Sequence, residues 1–166
     1  MINRFFLEKI SDNFPFSFTD DQLAALEHIS DFLFSGMNDQ IFLLTGYAGT
    51  GKSSLIGSLV KTMAAFDQKT LLLAPTGRAA KVFSTYASHP AYTIHKKIYR
   101  QEKFGEGTVH FSLSENLHTH TLFIVDEASM IYNESADNSL FGTGRLLDDL
   151  IEYVYGAEGC RMLLIG

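Results

Sequence analysis

The sequence contains no tryptophan, one cysteine and three prolines among its 166 residues. A single cysteine, Cys160, cannot form an internal disulfide, which is typical of proteins in a reducing compartment. No apolar run approaches the roughly 20 residues that a membrane-spanning helix needs. Glu8 and Lys9 introduce charge too early for the apolar region of a secretory leader. These absences predict a soluble, cytoplasmic protein with no membrane partner.

The composition is that of a globular chain, with 46% hydrophobic and 19% charged residues. Its length is typical of one domain. The net charge of −6 argues weakly against a nucleic-acid partner. However, six of the thirteen basic residues lie between Thr76 and Lys103, where Glu102 is the one acidic residue. This basic segment could bind a phosphate backbone, or it could be an ordinary solvated face.

Residues 46–53 fit the pattern G-x-x-x-x-G-K-[ST]. The apolar residues 41–45 before it predict a buried strand, and residues 52–66 after it have helical periodicity. Strand, glycine-rich loop and helix are the setting of a phosphate-binding loop, whereas the pattern alone would also fit a plain glycine-rich turn.

The pattern has a direct physical basis, because glycines let backbone amides converge on phosphate oxygens at the positive end of a helix. Lys52 is predicted to reach the β- and γ-phosphates and so to act in catalysis, and the Ser53 hydroxyl is predicted to coordinate Mg²⁺. The cofactors expected are therefore ATP and Mg²⁺. The residues predicted to bind the nucleotide here are Gly46, Ala48, Gly49, Thr50, Gly51, Lys52, Ser53 and Ser54.

A second predicted strand, residues 121–125, ends in two carboxylates. Asp126 is predicted to hold Mg²⁺, and Glu127 is predicted to orient and deprotonate the attacking water as a catalytic base. Alternatively, the two acids would merely favour the start of the following helix. The phosphate-loop pattern upstream favours the metal and catalytic roles.

Strands predicted at residues 41–45, 70–74, 121–125 and 161–165 alternate with helices. This order predicts a parallel sheet covered on both faces, with ligands at the carboxyl ends of the strands. Residues 92–101 predict a short basic helix or turn, and residues 141–155 a helix. Thr19 and Gln22 predict a capping box at the start of a helix whose buried stripe consists of Leu23, Leu26, Ile29 and Leu33.

Several segments together resemble the first motor domain of superfamily 1 DNA helicases of the RecD-like, 5′-to-3′ branch. The segments are Phe18 with Gln22, residues 46–53, residues 73–81, residues 93–95 and residues 125–130. The resemblance implies a three-layer α/β fold, the RecA-like P-loop NTPase domain with a mostly parallel sheet. It also implies an ATP-dependent DNA helicase that hydrolyses ATP to translocate on single-stranded DNA and unwind duplexes.

The resemblance carries roles to individual residues. It implies that Gln22 hydrogen-bonds adenine and that Phe18 lines the base. It further implies that two segments contact single-stranded DNA, and their matching residues are Thr76, Gly77, Arg78, Lys81, Thr93, His95 and Lys96.

The resemblance also sets expectations for the domains. Residues 1–166 are expected to form a single first motor domain, with an N-terminal extension at 1–17 and a small hairpin insertion at 101–118. A second motor domain, which would supply an arginine finger, is absent from this sequence, so the chain alone is expected to hydrolyse ATP weakly. Two alternatives remain open: a P-loop ATPase that remodels protein or RNA, and a nucleotide-gated binding module without turnover.

Overall fold

The computed structural model describes residues 3–105, 107–134 and 139–166. Its helices are α1 (Arg4–Asn13), α2 (Asp20–Phe34), α3 (Lys52–Ala65), α4 (Gly77–Ala87), α5 (Ile94–Ile98) and α6 (Leu146–Tyr155). Its strands are β1 (Ile41–Leu44), β2 (Lys69–Ala74), β3 (Ala91–Thr93), β4 (Tyr99–Phe104), β5 (Thr108–Leu113), β6 (Thr121–Val125) and β7 (Arg161–Ile165). A short 3₁₀ helix follows β6 at Ala128–Met130.

Five strands form one parallel sheet in the order β1-β7-β6-β2-β3. All the carboxyl ends therefore meet at one edge, which we call the carboxyl edge, and the opposite edge is the amino edge. The phosphate-loop pattern, the basic segment and Asp126 all follow strands at the carboxyl edge. The predicted α/β class, a RecA-like P-loop domain with a mostly parallel sheet, is confirmed.

Helices cover both faces of the sheet. On one face, α1, α2, α3 and α4 pack around a core that includes Phe6, Leu59 and Phe83. On the other face, α5 and α6 pack with the central strands around Ile98 and Leu150. All five residues of β6 are buried, as expected for a central strand of a parallel sheet.

The first strand differs from the prediction of a buried strand. Phe42 and Leu44 face the core, but Ile41 and Leu43 are 41% and 59% exposed. The reason is its place in the sheet, since β1 is an edge strand that pairs with β7 alone among the described residues. Four consecutive apolar residues therefore do not distinguish an edge strand from a central one.

The segment predicted as a short basic helix or turn contains more structure than expected. Residues 91–93 form β3, which pairs with β2 and places Thr93 opposite Ala74. The helix α5 is five residues long, and β4 begins directly after it at Tyr99. A three-residue strand is too short to produce a recognisable alternation, so this element was missed.

Strands β4 and β5 form an antiparallel hairpin, with Tyr99 opposite Leu113 at its base. The hairpin is joined to the loop before α6, where the rings of Phe111 and Phe141 stack with centroids 4.6 Å apart. That loop explains why α6 begins at Leu146 and not near Phe141 as predicted. The buried Asp149 carboxylate accepts hydrogen bonds from the Tyr99 hydroxyl at 2.6 Å and from the Thr143 hydroxyl at 2.7 Å, which ties the loop to the hairpin base.

The capping box at the start of α2 is confirmed, because Thr19 and Gln22 exchange side chain and backbone hydrogen bonds. The predicted buried stripe is only partly correct. Leu26 and Ile29 are fully buried, Leu33 is half-buried and Leu23 is 39% exposed. Among the described residues, no helix is both long and apolar enough to cross a bilayer.

Candidate functional site

The phosphate loop connects β1 to α3 and depends on glycine at defined points. Gly49 and Gly51 have φ values of +82° and +83°, which side chains rarely adopt. At Gly46 a Cβ atom would lie 3.1 Å from the Thr50 hydroxyl oxygen and 3.6 Å from Lys52 Nζ. Gly49 and Gly51 thus hold a backbone conformation that favours glycine, and a side chain at Gly46 would crowd Thr50 and Lys52, which fits a loop that binds phosphate through backbone amides.

Lys52 at the start of α3 folds back over the loop that precedes it. Its ammonium donates hydrogen bonds to the carbonyl of Tyr47 at 2.8 Å and to the carbonyl of Gly46. The cavity beside the loop is about 90 Å³, with Gln22 and Lys52 among its lining residues. Typical ligand pockets are roughly 300–1,000 Å³. The Lys52 ammonium is thus held by loop carbonyls beside a cavity smaller than a typical ligand pocket.

Gln22 also contacts the phosphate loop. Its side-chain oxygen accepts from the Thr19 backbone amide at 3.0 Å, and its amide nitrogen donates to the Thr50 carbonyl at 3.3 Å. Both ends of the side chain are thus occupied within the protein. The contact with adenine implied by the resemblance stays a prediction, and it requires Gln22 to exchange the Thr50 carbonyl for the base.

Phe18 lies just before the capping box. Its half-buried ring stacks on Phe14, with centroids 4.3 Å apart and an interplanar angle of 20°. The predicted contact between Phe18 and the base also stays a prediction.

Asp126 and Glu127 lie at the end of β6, where the chain turns sharply. Asp126 is anchored to β2 through its backbone amide, which donates to the Leu73 carbonyl at 3.0 Å. Glu127 is exposed and has φ 53° and ψ 40°, a left-handed conformation that costs a non-glycine residue free energy. Such conformations concentrate at active sites, so this geometry favours a functional role for Glu127 over simple helix capping.

The Asp126 carboxylate has a hydrogen-bond donor on each oxygen. The Glu127 backbone amide donates to Oδ1 at 2.8 Å, and the Tyr86 hydroxyl donates to Oδ2 at 2.7 Å. Burial raises the pKa of Tyr86, and the hydrogen bond to Asp126 and the charges of Asp126 and Glu127 raise it further. The phenol therefore stays protonated and remains a donor. The sequence analysis did not identify Tyr86.

The residues at this edge fit Mg²⁺ by their chemistry. Ser53, exposed in the first turn of α3, offers a hydroxyl, and Asp126 offers a carboxylate. In the described part of the chain, no three His, Cys, Asp or Glu side chains cluster as a metal site. A divalent ion here would thus rely on one carboxylate, one hydroxyl and nucleotide phosphates, the coordination that Mg²⁺ commonly uses.

The first predicted DNA-contacting segment opens α4. The Thr76 hydroxyl caps this helix by accepting from the Ala79 amide at 3.1 Å. Arg78 and Lys81 are exposed in its first turns. At Gly77, a Cβ atom would meet no other atom within 4 Å. The segment therefore presents open space next to two cationic side chains.

The second predicted segment lies beside the first, because Thr93 in β3 pairs with Ala74 in β2. Thr93 caps α5 by accepting from the Lys96 amide at 3.3 Å, and Lys96 is exposed. His95 is half-buried, and its ring meets the edge of Phe141 with centroids 4.9 Å apart. Burial lowers the pKa of His95, so a contact with DNA would use a neutral ring.

A larger cavity, of about 730 Å³, lies at the amino edge. Its lining includes Asp39, Gln68, His120, Glu158 and Arg161, and none of the predicted nucleotide or DNA residues lines it. The larger of the two cavities is therefore not the one beside the phosphate loop. The small cavity, and not this one, is lined by residues of the phosphate loop, among them Thr50, Gly51 and Lys52.

Residues 17–141 match the sequence profile of the AAA domain. The chain belongs to this family. The match spans the phosphate loop, the basic segment, Asp126 and Glu127. An uncharacterised protein of Methanocaldococcus jannaschii is 30% identical over 141 aligned residues, which cover 78% of this chain and 12% of that relative. The chain thus spans a small part of the relative's length.

Family membership and the geometry of the site both indicate a domain that binds nucleotides. This AAA domain is a P-loop nucleotide-binding domain of the type that hydrolyses nucleoside triphosphates. The two elements that such chemistry needs, the phosphate loop and the carboxylates after β6, lie at the same edge of the sheet.

Proposed function

We propose that this AAA domain is the first motor domain of a DNA helicase of the RecD-like branch of superfamily 1. In this proposal it binds single-stranded DNA and hydrolyses ATP, and the hydrolysis is coupled to translocation along the DNA and to duplex unwinding. One observation carries the proposal. The exposed cations Arg78, Lys81 and Lys96 follow β2 and β3, and β2 is the immediate neighbour of the strand that carries Asp126 and Glu127.

The nucleotide would be bound by the amides of residues 46–53, with Lys52 on the β- and γ-phosphates. Ser53 and Asp126 would hold Mg²⁺, which neutralises phosphate charge when it is bound. Glu127, exposed beside Asp126, would accept a proton from the water that attacks the γ-phosphate. The products are ADP and inorganic phosphate.

The DNA would be bound through its backbone. Lysine and arginine contacts with phosphates give affinity that falls with salt and depends little on sequence. Arg78 and Lys81 are both exposed on α4, and the open space at Gly77 would let a phosphate approach the start of that helix closely. The net negative charge of the chain does not oppose this, because the basic residues are concentrated in one segment.

The 5′-to-3′ direction and the need for a second motor domain rest on the motif resemblance. The residues that carry it, at 73–81 and 125–130, follow two adjacent strands of the sheet, so the segments are close together in space. That proximity supports coupling between DNA and nucleotide within this domain.

The test is single-stranded DNA binding by fluorescence anisotropy at several salt concentrations, together with the ATPase rate with and without DNA. Arg78→Ala with Lys81→Ala should weaken binding and reduce the slope of log affinity against log salt by about 1.4, which is about 0.7 for each lost contact with a single strand. Lys61→Ala with Lys69→Ala is the matched control, since it removes two exposed lysines away from the carboxyl edge.

The proposal predicts an unchanged slope in the control and an ATPase rate that DNA increases. If the two double variants changed DNA affinity and its salt dependence equally, the basic segment would be an ordinary solvated surface and not a DNA-binding site. A DNA-indifferent ATPase would favour the remodelling alternative, and nucleotide binding without turnover would favour the gated binding module.

A further inference from the structure

We propose that Tyr86 is a positioning residue for the magnesium site, which fixes the Asp126 carboxylate in the orientation that the metal requires. This inference rests on the nucleotide and Mg²⁺ part of the proposed function and not on DNA binding. It adds to the site a side chain from α4, the helix that also carries the basic residues Arg78 and Lys81.

The first step is the geometry around Asp126. With one donor on each oxygen, at 2.7 Å from Tyr86 and 2.8 Å from the Glu127 amide, the carboxylate cannot rotate without breaking a hydrogen bond. Each carboxylate oxygen has a further lone pair, so either can still face a metal. Residues that orient a metal ligand in this way commonly change metal affinity 10- to 100-fold when they are mutated.

The second step is that Tyr86 is itself held in place. Its ring stacks on the fully buried Phe83, with centroids 5.1 Å apart and an interplanar angle of 30°. Its backbone carbonyl packs closely against α3 at Gly57. A Cβ atom at that position would lie 3.0 Å from the carbonyl oxygen. Tyr86 therefore contacts the helix that begins at the phosphate loop, and its hydroxyl reaches the end of β6.

The third step concerns the basic segment. Arg78 and Tyr86 lie on the same α-helix, eight residues apart, a distance of about 12 Å along the axis. Tyr86 therefore links α4, the helix that carries the basic residues, to Asp126 at the end of β6.

The decisive variant is Tyr86→Phe, which removes the hydroxyl and keeps the ring on Phe83. We expect the Mg²⁺ concentration for half-maximal binding of a fluorescent ADP to rise about 10- to 100-fold. Binding of the same ADP in EDTA should be unchanged, since the phosphate loop and Gln22 are not altered. Both titrations are done without DNA, so they do not depend on helicase activity.

The matched control is Tyr155→Phe. Tyr155 is also a half-buried tyrosine whose hydroxyl is hydrogen-bonded, to the Gln40 carbonyl and the Met162 amide, but it lies at the end of α6 beside the amino edge. Its loss should lower the unfolding temperature by a similar amount and leave the Mg²⁺ dependence unchanged. The control therefore separates metal positioning from a general loss of stability.

An unchanged Mg²⁺ dependence in Tyr86→Phe would make its hydroxyl purely structural and overturn the inference. An equal rise in both variants would also overturn it, because loosening of the fold would then explain the effect. Failure of DNA to bind or to stimulate hydrolysis would reject the helicase proposal and leave this result intact. Failure of the wild-type chain to bind ADP with Mg²⁺ would reject both.

Discussion

Two glycines of the phosphate loop provide a comparison in which one contact differs. Gly49 and Gly51 have nearly the same φ, +82° and +83°. A Cβ atom at Gly49 would meet nothing within 4 Å, whereas at Gly51 it would lie 2.6 Å from the Gln22 amide nitrogen. Alanine at either position bears the same backbone strain, but at Gly51 it must also displace Gln22.

The magnitudes follow from these contacts. A left-handed alanine costs about 1–2 kcal/mol, and the lower entropy of the unfolded alanine chain offsets about 0.4–1 kcal/mol of it. Gly49→Ala should therefore cost about 1 kcal/mol, or about 2–4 °C in unfolding temperature for a domain of this size. Displacing the Gln22 amide nitrogen loses its bond to the Thr50 carbonyl, which contributes about 0.5–1.5 kcal/mol, so Gly51→Ala should lower that temperature roughly twice as much.

The assay is thermal unfolding without nucleotide, for both glycine variants in the wild-type chain and in a Gln22→Ala background. In that background the excess loss at Gly51 should disappear, because the side chain it displaces is gone. Equal losses for Gly49→Ala and Gly51→Ala in the wild-type chain would refute the contact between Gln22 and the loop. An excess that survives Gln22→Ala would assign it to another neighbour of Gly51.

Two further predictions concern Glu127 and His95. Because Glu127 has φ 53°, Glu127→Gly should be more stable than Glu127→Ala by about 1 kcal/mol, which is about 2–4 °C in unfolding temperature. Neither variant should hydrolyse ATP in a single-turnover assay. Equal unfolding temperatures would contradict backbone strain at Glu127. Burial lowers the pKa of His95 in the folded state, so near and below its ordinary pKa the unfolded state binds more protons than the folded state. The free energy of unfolding therefore decreases as the pH is lowered. The unfolding temperature should drop from pH 7 to pH 5, and less so in His95→Gln. A drop of the same size in His95→Gln would assign the effect elsewhere, for example to His118, whose pKa is lowered by burial and nearby lysines.

The sequence predicted the parts of this domain that depend on local pattern. The phosphate loop, the strand before Asp126 and the capping box at Thr19 each need only neighbouring residues, and all three are present. The α/β class followed from the same alternation of strands and helices. What the local pattern lacked was the position of each strand in the sheet, which is why the exposure of Leu43 was not predicted.

Contacts between distant residues account for the remaining differences. The start of α6 depends on Asp149 and its partner Tyr99, fifty residues away. Tyr86 and Asp126 are forty residues apart, and no periodicity indicates that they meet. Gln22 and Thr50 are twenty-eight residues apart, and the sequence did not indicate that the Gln22 amide donates to the Thr50 carbonyl, while the predicted contact with adenine stays a prediction. Helix packing across the sheet decides each of these, and the sequence pattern does not encode it.

The hydrogen bonds of Lys52 and Gln22 bear on the nucleotide binding that we propose. Lys52 and Gln22 both donate to carbonyls of the phosphate loop, so their polar atoms are satisfied before any ligand arrives. A ligand must offer more than these neutral carbonyls do. Phosphate oxygens do so for Lys52, because their negative charge attracts the ammonium more strongly than a neutral carbonyl does. A base without phosphates would only replace the Thr50 carbonyl as the partner of the Gln22 amide, which exchanges one neutral hydrogen bond for another. It would offer no negative charge to Lys52. In the proposed function, the phosphates would therefore contribute more to nucleotide binding than the base.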